Sequence, residues 1–191
     1  MPSAALKWWR TEGRDTLDNM VSVHRAVGGA GPGRRYATDQ VNNAYAVLLS
    51  SQFQKFSRDL HTECSDHLAR QTPPEIRAVV FAVFTDGRRL DSGNPNPGNI
   101  GADFGRFGFK FWDNVRALNA HGEERRRKLD QLNVWRNAIS HHDYSDLAFA
   151  GRTAVSLDEV RRWRGACDGL ARDFDSVLKS RLVKLTALPP W

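Results

Sequence analysis

Apolar residues recur at intervals of three and four along most of the chain, which is the spacing of one buried face of an α-helix. The pattern predicts helices over six segments, at roughly residues 4–26, 41–68, 73–84, 107–119, 122–144 and 157–182. The period-two alternation of a β-strand is absent, apart from a short extended piece predicted at residues 149–155. The sequence therefore predicts an all-α helical bundle of five or six helices that forms a single domain over residues 1–191.

Four stretches carry the signals that begin or interrupt helices. Residues 28–35 (GGAGPGRR) combine glycines with a proline, and no helix is expected to continue through them. Thr38 and Asp39 can cap the helix that follows. Thr72–Glu75 and Ser156–Glu159 both have the spacing of a capping box, so each predicts the start of a helix.

Two segments in the middle of the chain differ in composition from the helices around them. Residues 79–84 (VVFAVF) are apolar on every side, which predicts a buried helix. Residues 85–105 are dense in Gly, Asn and Pro, and a connection of this length is uncommon inside a domain. Substrate access, partner contact and a plain variable loop are the alternatives for residues 85–105, and the plain loop is favoured.

The helix that contains residues 131–144 (QLNVWRNAISHHDY) has an unusual polar face. Leu132, Trp135 and Ile139 have the spacing of an inward face. Because each residue advances by ~100°, the opposite face collects six polar residues. They are Asn133, Arg136, Asn137, Ser140, His141 and Tyr144. A solvated helix normally carries Glu and Lys there, so a guanidinium, an amide, a hydroxyl and an imidazole together indicate a functional face.

The charge of the chain favours an anionic partner such as nucleic acid. Lys and Arg number 28 and Asp and Glu number 22, which gives a formal net charge of +6. Arg125, Arg126, Arg127 and Lys128 form a basic run two turns before the polar face, where phosphates could bind. The alternative is that this run is only a solvated helix face.

The cysteines and histidines of the second helix do not predict a metal site. Cys64 and Cys167 are far apart in the chain and are interpreted as core thiols in a reducing compartment. His61, Cys64 and His67 lack the spacing and the fourth ligand of a zinc site, which favours surface histidines beside a core cysteine. The chain has neither a signal peptide pattern nor a run of ~18 apolar residues. We therefore expect a cytoplasmic protein with no membrane partner.

The segment Arg136–His141 (RNAISH) resembles the RNxxxH motif of the HEPN superfamily (higher eukaryotes and prokaryotes nucleotide-binding). In that family the motif lies late in an all-α bundle and is followed by one more long helix, as in this chain. Bacterial members include proteins associated with RiboL-PSP and other defence systems. The resemblance implies a HEPN-like fold over the whole chain. It also implies a metal-independent endoribonuclease, without cofactors, that acts as a toxin or antiphage effector.

The resemblance also implies a role for each residue of the motif. His141 would be the acid and base, Arg136 the phosphate clamp and Asn137 an orienting group, in a composite site at a homodimer cleft. Ser140 and Tyr144 would support them, and His142, on the apolar margin of the helix, would either pack or support them. Some HEPN toxins carry a tyrosine, two residues after the motif histidine, that a nucleotidyltransferase antitoxin modifies. Tyr144 lies one residue further on than that spacing, unless it is counted from His142.

Two other interpretations of the motif remain open. Arg136 and His141 could cap the helix or form ion pairs on its surface without further function. The chain could also be a non-catalytic HEPN module that binds a nucleotide or a protein partner, because a fold does not fix a function.

Overall fold

The computed structural model describes residues 1–28, 36–146 and 149–191. Its α-helices are α1 (Ala4–Trp8), α2 (Arg14–Gly28), α3 (Tyr36–Arg70), α4 (Arg77–Thr85), α5 (Arg89–Ser92), α6 (Pro97–Gly105), α7 (Phe111–Leu118), α8 (Gly122–His141) and α9 (Leu157–Thr186). A π-helical turn, Trp9–Gly13, joins α1 to α2, and a 3-10 turn, Pro74–Ile76, precedes α4. No strand occurs in these residues, which confirms the all-α class, and the helices outnumber the five or six predicted.

The long helix α3 is the centre of the bundle. It contacts α1, α2, α4, α8 and α9, and its apolar face is fully buried. Phe53 of α3 packs against Phe174 of α9 with ring centroids 5.8 Å apart, and Phe174 also contacts Phe104 and Phe111. One aromatic core therefore joins α3, α6, α7 and α9. In the described ranges, no helix combines enough length with enough apolar character to cross a lipid bilayer.

The prediction that residues 79–84 are buried is wrong. The side chains of Val79 and Val83 are 64% and 68% exposed, and no residue of α4 is fully buried. α4 packs mainly against α3, and Phe84 also stacks on Phe107 with ring centroids 5.2 Å apart, but no described element covers Val79 and Val83. An apolar composition on every side shows that a helix can be buried. Whether it is buried depends on neighbouring elements, which the sequence of the helix does not report.

The prediction of a plain loop at residues 85–105 is also wrong. This segment contains α5 and α6, and Leu90, Ile100 and Phe104 are fully buried. The buried carboxylate of Asp103 accepts hydrogen bonds from the backbone N–H groups of Arg89 and Leu90, at 3.0 and 2.8 Å. The free N–H groups at the start of α5 are therefore bonded by a side chain thirteen or more residues away, and a local sequence pattern does not reveal such a contact.

The predicted helix starts had mixed outcomes. The capping box at Ser156–Glu159 is confirmed, because Ser156 Oγ accepts from the N–H of Glu159 at 3.2 Å and Glu159 Oε2 accepts from the N–H of Ser156 at 2.9 Å. The box predicted at Thr72 is wrong, since the Thr72 hydroxyl donates to the carbonyl of Ala69 at 2.6 Å and closes the end of α3. Thr38 lies inside α3 rather than at its cap.

The remaining expectations concern connections. Asp39, predicted with Thr38 as a cap, lies in the first turn of α3. Gly28 ends α2, and the rest of the predicted break, residues 29–35, lies outside the described residues. The extended piece predicted at residues 149–155 is absent from the described chain; Ala150 and Gly151 adopt positive φ angles of 48° and 74° and form a tight turn there.

His61 is a core residue, so the prediction of a surface histidine is wrong. Its ring is fully buried and lies 4.8 Å from the Phe107 ring. His61 Nε2 lies 3.1 Å from the carbonyl oxygen of Asp103, which can only accept, so Nε2 carries the proton. Burial, and then the charge of Arg88, lower the pKa of His61 to about 4. His61 is therefore neutral near pH 7.

The buried cysteines fit the interpretation as core thiols. Burial raises the pKa values of both Cys64 and Cys167 well above that of a free thiol, so both remain protonated. In the described residues, no cluster of His, Cys, Asp and Glu has the geometry of a metal site.

We expect the fold to lose stability in mild acid through His61. The pKa of His61 is lower in the folded state, about 4, than its ordinary value of 6.5, so only the unfolded chain takes up a proton between these values. Above pH 6.5 His61 is neutral in both states and does not change the free energy of unfolding with pH. As the pH falls to 4, the free energy of unfolding decreases by about 3 kcal/mol. His61→Gln should flatten the pH dependence of the free energy of unfolding, measured by denaturant titration.

The matched control is His121→Gln, which changes an exposed histidine and should leave the pH dependence as in the wild type. If His61→Gln and the wild type lose the same stability between pH 6.5 and 4, His61 is not the buried neutral group described here.

Candidate active site

The C-terminal half of α8 turns one side into the core and the other outward. Leu132, Trp135 and Ala138 are buried, whereas Asn137 and His141 are exposed. This matches the face expected for the motif, because residues that point inward recur every three or four positions. Two further members of the predicted polar face, Arg136 and Ser140, are half-buried and exposed respectively.

Asn133 does not belong to the exposed polar face, where it was predicted. It is only 2% exposed, and its side chain joins three segments. Nδ2 donates to the carbonyls of Leu129 at 2.8 Å and Pro95 at 3.2 Å, and Oδ1 accepts from Ser50 Oγ at 3.3 Å. The buried amide therefore fixes the rotation of α8 relative to α3 and to the segment before α6.

Arg136 and Asn137 form a small hydrogen-bonded group with a residue from another part of the chain. Nη1 of Arg136 donates to Oδ1 of Asn137 at 3.3 Å, and Nδ2 of Asn94 donates to the same oxygen. The carbonyl of Asn94 accepts from Nδ2 of Asn99 at 2.8 Å, which holds this segment in place. Sequence reasoning missed Asn94. The only signal was the run NPNPGN within residues 85–105.

His141 is the last residue of α8, and its imidazole is exposed. The helix ends because His142 has a φ of 55°, and the N–H of Asp143 then donates to the carbonyl of Ala138 at 3.0 Å. The carboxylate of Asp143 accepts from the N–H and the hydroxyl of Ser145 at 3.1 and 2.7 Å. These bonds, and then the charge of His141, lower the pKa of Asp143. An ionised carboxylate therefore lies near the imidazole.

His142 and Tyr144 lie beyond the end of the helix, so the predicted extension of α8 through Tyr144 is wrong. His142 is exposed, with its ring centroid 5.7 Å from that of Tyr144. The half-buried Tyr144 ring packs near Trp135 and Phe149, with centroids 6.3 and 5.8 Å away, and burial raises its pKa. Tyr144 thus contacts the inward side of α8 and not the polar face on which it was predicted.

The basic run Arg125–Lys128 does not form one patch. Nη1 of Arg125 pairs with Asp173 of α9 at 2.7 Å, and Arg126 pairs with Glu123 at 3.2 Å. Nζ of Lys128 pairs with Glu124 at 2.6 Å. Consecutive residues are ~100° apart on a helix, so they point in different directions. Arg127 is the exposed member that has no ion pair with a described residue.

Comparisons with known proteins did not add to this description. No protein-family model, no curated protein and no solved structure matched the chain.

We expect Asn133→Leu to destabilise the fold, because it leaves the buried polar groups of Ser50 and Pro95 without their partner. The loss should be about 1–3 kcal/mol in the free energy of unfolding, measured by denaturant titration. Asn114→Leu is the matched control, since Asn114 is exposed on α7 and its side chain donates to the carbonyl of Lys110, the residue just before that helix. Equal losses for the two variants would contradict the role given to the Asn133 amide.

Proposed function

We propose that the chain is a metal-independent endoribonuclease whose active site is formed by Arg136, Asn137 and His141. The observation that supports this proposal best is their arrangement at the accessible end of α8. A permanently charged guanidinium, an amide bonded to it and a solvent-accessible imidazole occupy less than two turns of one helix. These are the groups that cleavage of RNA by its own 2′-hydroxyl requires.

The chemistry assigns one task to each group. The neutral His141 imidazole takes the proton of the 2′-hydroxyl, and the O2′ atom attacks the adjacent phosphorus. The bond from phosphorus to the 5′-oxygen breaks, and that oxygen takes a proton from the His141 imidazolium, which becomes neutral again. The products are a 2′,3′-cyclic phosphate and a 5′-hydroxyl. Arg136 binds the phosphate oxygens and stabilises the charge that develops on them. DNA lacks the 2′-hydroxyl and would not be cleaved.

Two copies of the chain would make a stronger catalyst than one. The exposed side of α8 carries Val134, which is 38% exposed, one and two turns before Asn137 and His141. An apolar residue on this side favours contact with the same helix of a second copy, and a twofold axis would bring two Arg136–His141 pairs together. We propose this homodimer as the active form of a cytoplasmic toxin or antiphage effector, which a partner antitoxin could restrain.

The alternative function is a module that binds a nucleotide or a protein partner without cleaving RNA. One observation favours it: within the described residues, the His141 imidazole has no hydrogen-bond partner to orient it. An acid or base held by a second group is a better catalyst. If the alternative is correct, Arg136 binds a phosphate and His141 has no role as a base.

We expect His141→Ala and Arg136→Ala each to slow RNA cleavage by about 100-fold or more, because each removes a group that acts in the transition state. Initial rates on purified RNA in EDTA give the measurement, and circular dichroism checks that the helices remain. His121→Ala removes another exposed histidine and should keep the wild-type rate. Light scattering of the same samples should give a mass near twice 21.5 kDa.

Equal cleavage by the wild type and His141→Ala would refute the proposed role of the imidazole. A wild-type protein that binds RNA or nucleotides but cleaves neither total RNA nor defined strands would support the binding module.

A further inference from the structure

A pocket of about 310 Å³ lies between α8 and the first turns of α9, on a different side of α8 from Arg136. Its floor is aromatic and consists of Trp135, Phe149 and Trp163. Its rim carries cations on three separate elements, namely Lys128, Arg152 and Arg162. We call this cavity the α8–α9 pocket. Its size is at the lower end of the range for small-molecule sites.

The cation of Arg152 is held in place by the capping box of α9. Its Nη1 lies 2.9 and 3.0 Å from the two carboxylate oxygens of Glu159, and its guanidinium lies 5.0 Å from the centre of the Trp135 ring. Glu159 in turn accepts from the N–H and the hydroxyl of Ser156. The wall of the pocket is therefore ordered by the same contacts that start α9.

The electrostatics of the pocket favour an anion at Arg162. The lining has three cations and two carboxylates, Asp130 and Glu159, so its formal net charge is +1. Burial raises the pKa of Glu159, but the Ser156 hydrogen bonds and Arg152 outweigh this effect and lower it, so the carboxylate stays ionised. Lys128 is paired with Glu124. Arg162 is exposed and has no ion pair with a described residue, so its charge is available to a ligand.

We propose that the α8–α9 pocket binds one nucleotide of the RNA, with the base against the aromatic floor and a phosphate at Arg162. A free phosphate would leave the aromatic floor unused, and an apolar ligand would leave the cations unused. Gln131 in the same wall offers an amide that can hydrogen-bond to a base edge. The proposal rests on the proposed function, since it makes the pocket a second contact for the same strand.

The position of the pocket suits this role. Val134 lies at its edge and His141 follows seven residues later on the same exposed side, about 10 Å along the helix axis. A strand whose scissile phosphate is bound at His141 can therefore place a neighbouring nucleotide at the pocket. Such a contact would determine which base stands near the cleavage site.

The test uses the full-length His141→Ala protein and the four nucleoside 5′-monophosphates, so that binding is measured without cleavage. We expect at least one of them to bind and to shift the indole N–H resonances of Trp135 and Trp163. In the same background, Arg162→Ala should weaken that binding about tenfold. Arg161→Ala is the matched control, because it removes an equal charge from the neighbouring position, where Arg161 pairs with Asp158 outside the pocket.

Three results would overturn the proposal. The first is that no monophosphate binds at millimolar concentration. The second is that Arg161→Ala and Arg162→Ala weaken binding equally, which would indicate attraction to surface charge alone. The third is that inorganic phosphate binds as tightly as the nucleotides. Failure of the proposed function would look different: nucleotides would bind as expected, but the wild type would not cleave RNA.

Discussion

The buried amide of Asn133 is the constraint on which the orientation of α8 depends. A buried amide must satisfy its hydrogen bonds, and this one does so through Ser50 of α3, Pro95 of the preceding segment and Leu129 of its own helix. A rotation of α8 would break the bonds to Ser50 and Pro95, which belong to other segments. Asn137 and His141 lie ~40° and ~80° further around the helix axis than Asn133, and both are exposed. A core contact thereby determines which side chains reach the solvent.

Helix class and most helix positions could be predicted because apolar periodicity reports directly on a buried face. The failures have physical reasons. Residues 79–84 had the composition of a core helix, but Val79 and Val83 of α4 are exposed. Residues 85–105 had the composition of a loop, yet Asp103 caps α5 from a distance and Phe104 enters the core. The composition of a segment shows which of its side chains can be buried. Contacts with residues distant in sequence decide whether they are buried.

The candidate site was predictable to the extent that it lies on one helix. Helical spacing placed Arg136, Asn137 and His141 on one outward face, and the resemblance to the RNxxxH motif singled them out. Asn94 reaches Asn137 from a segment about forty residues earlier, and no local pattern indicates that contact. The α8–α9 pocket was not predicted either, because it combines a helix, a tight turn and a capping box. α8 thus carries different chemistry on two sides.

The most direct test of the central proposal is the chemistry of the RNA ends that the purified protein produces. In the presence of EDTA, cleavage through the 2′-hydroxyl with His141 as the base should leave 2′,3′-cyclic phosphate and 5′-hydroxyl termini. The termini can be identified by mass spectrometry of a defined oligonucleotide. Loss of cleavage in EDTA, or products with 3′-hydroxyl and 5′-phosphate ends, would contradict a metal-independent mechanism at Arg136 and His141.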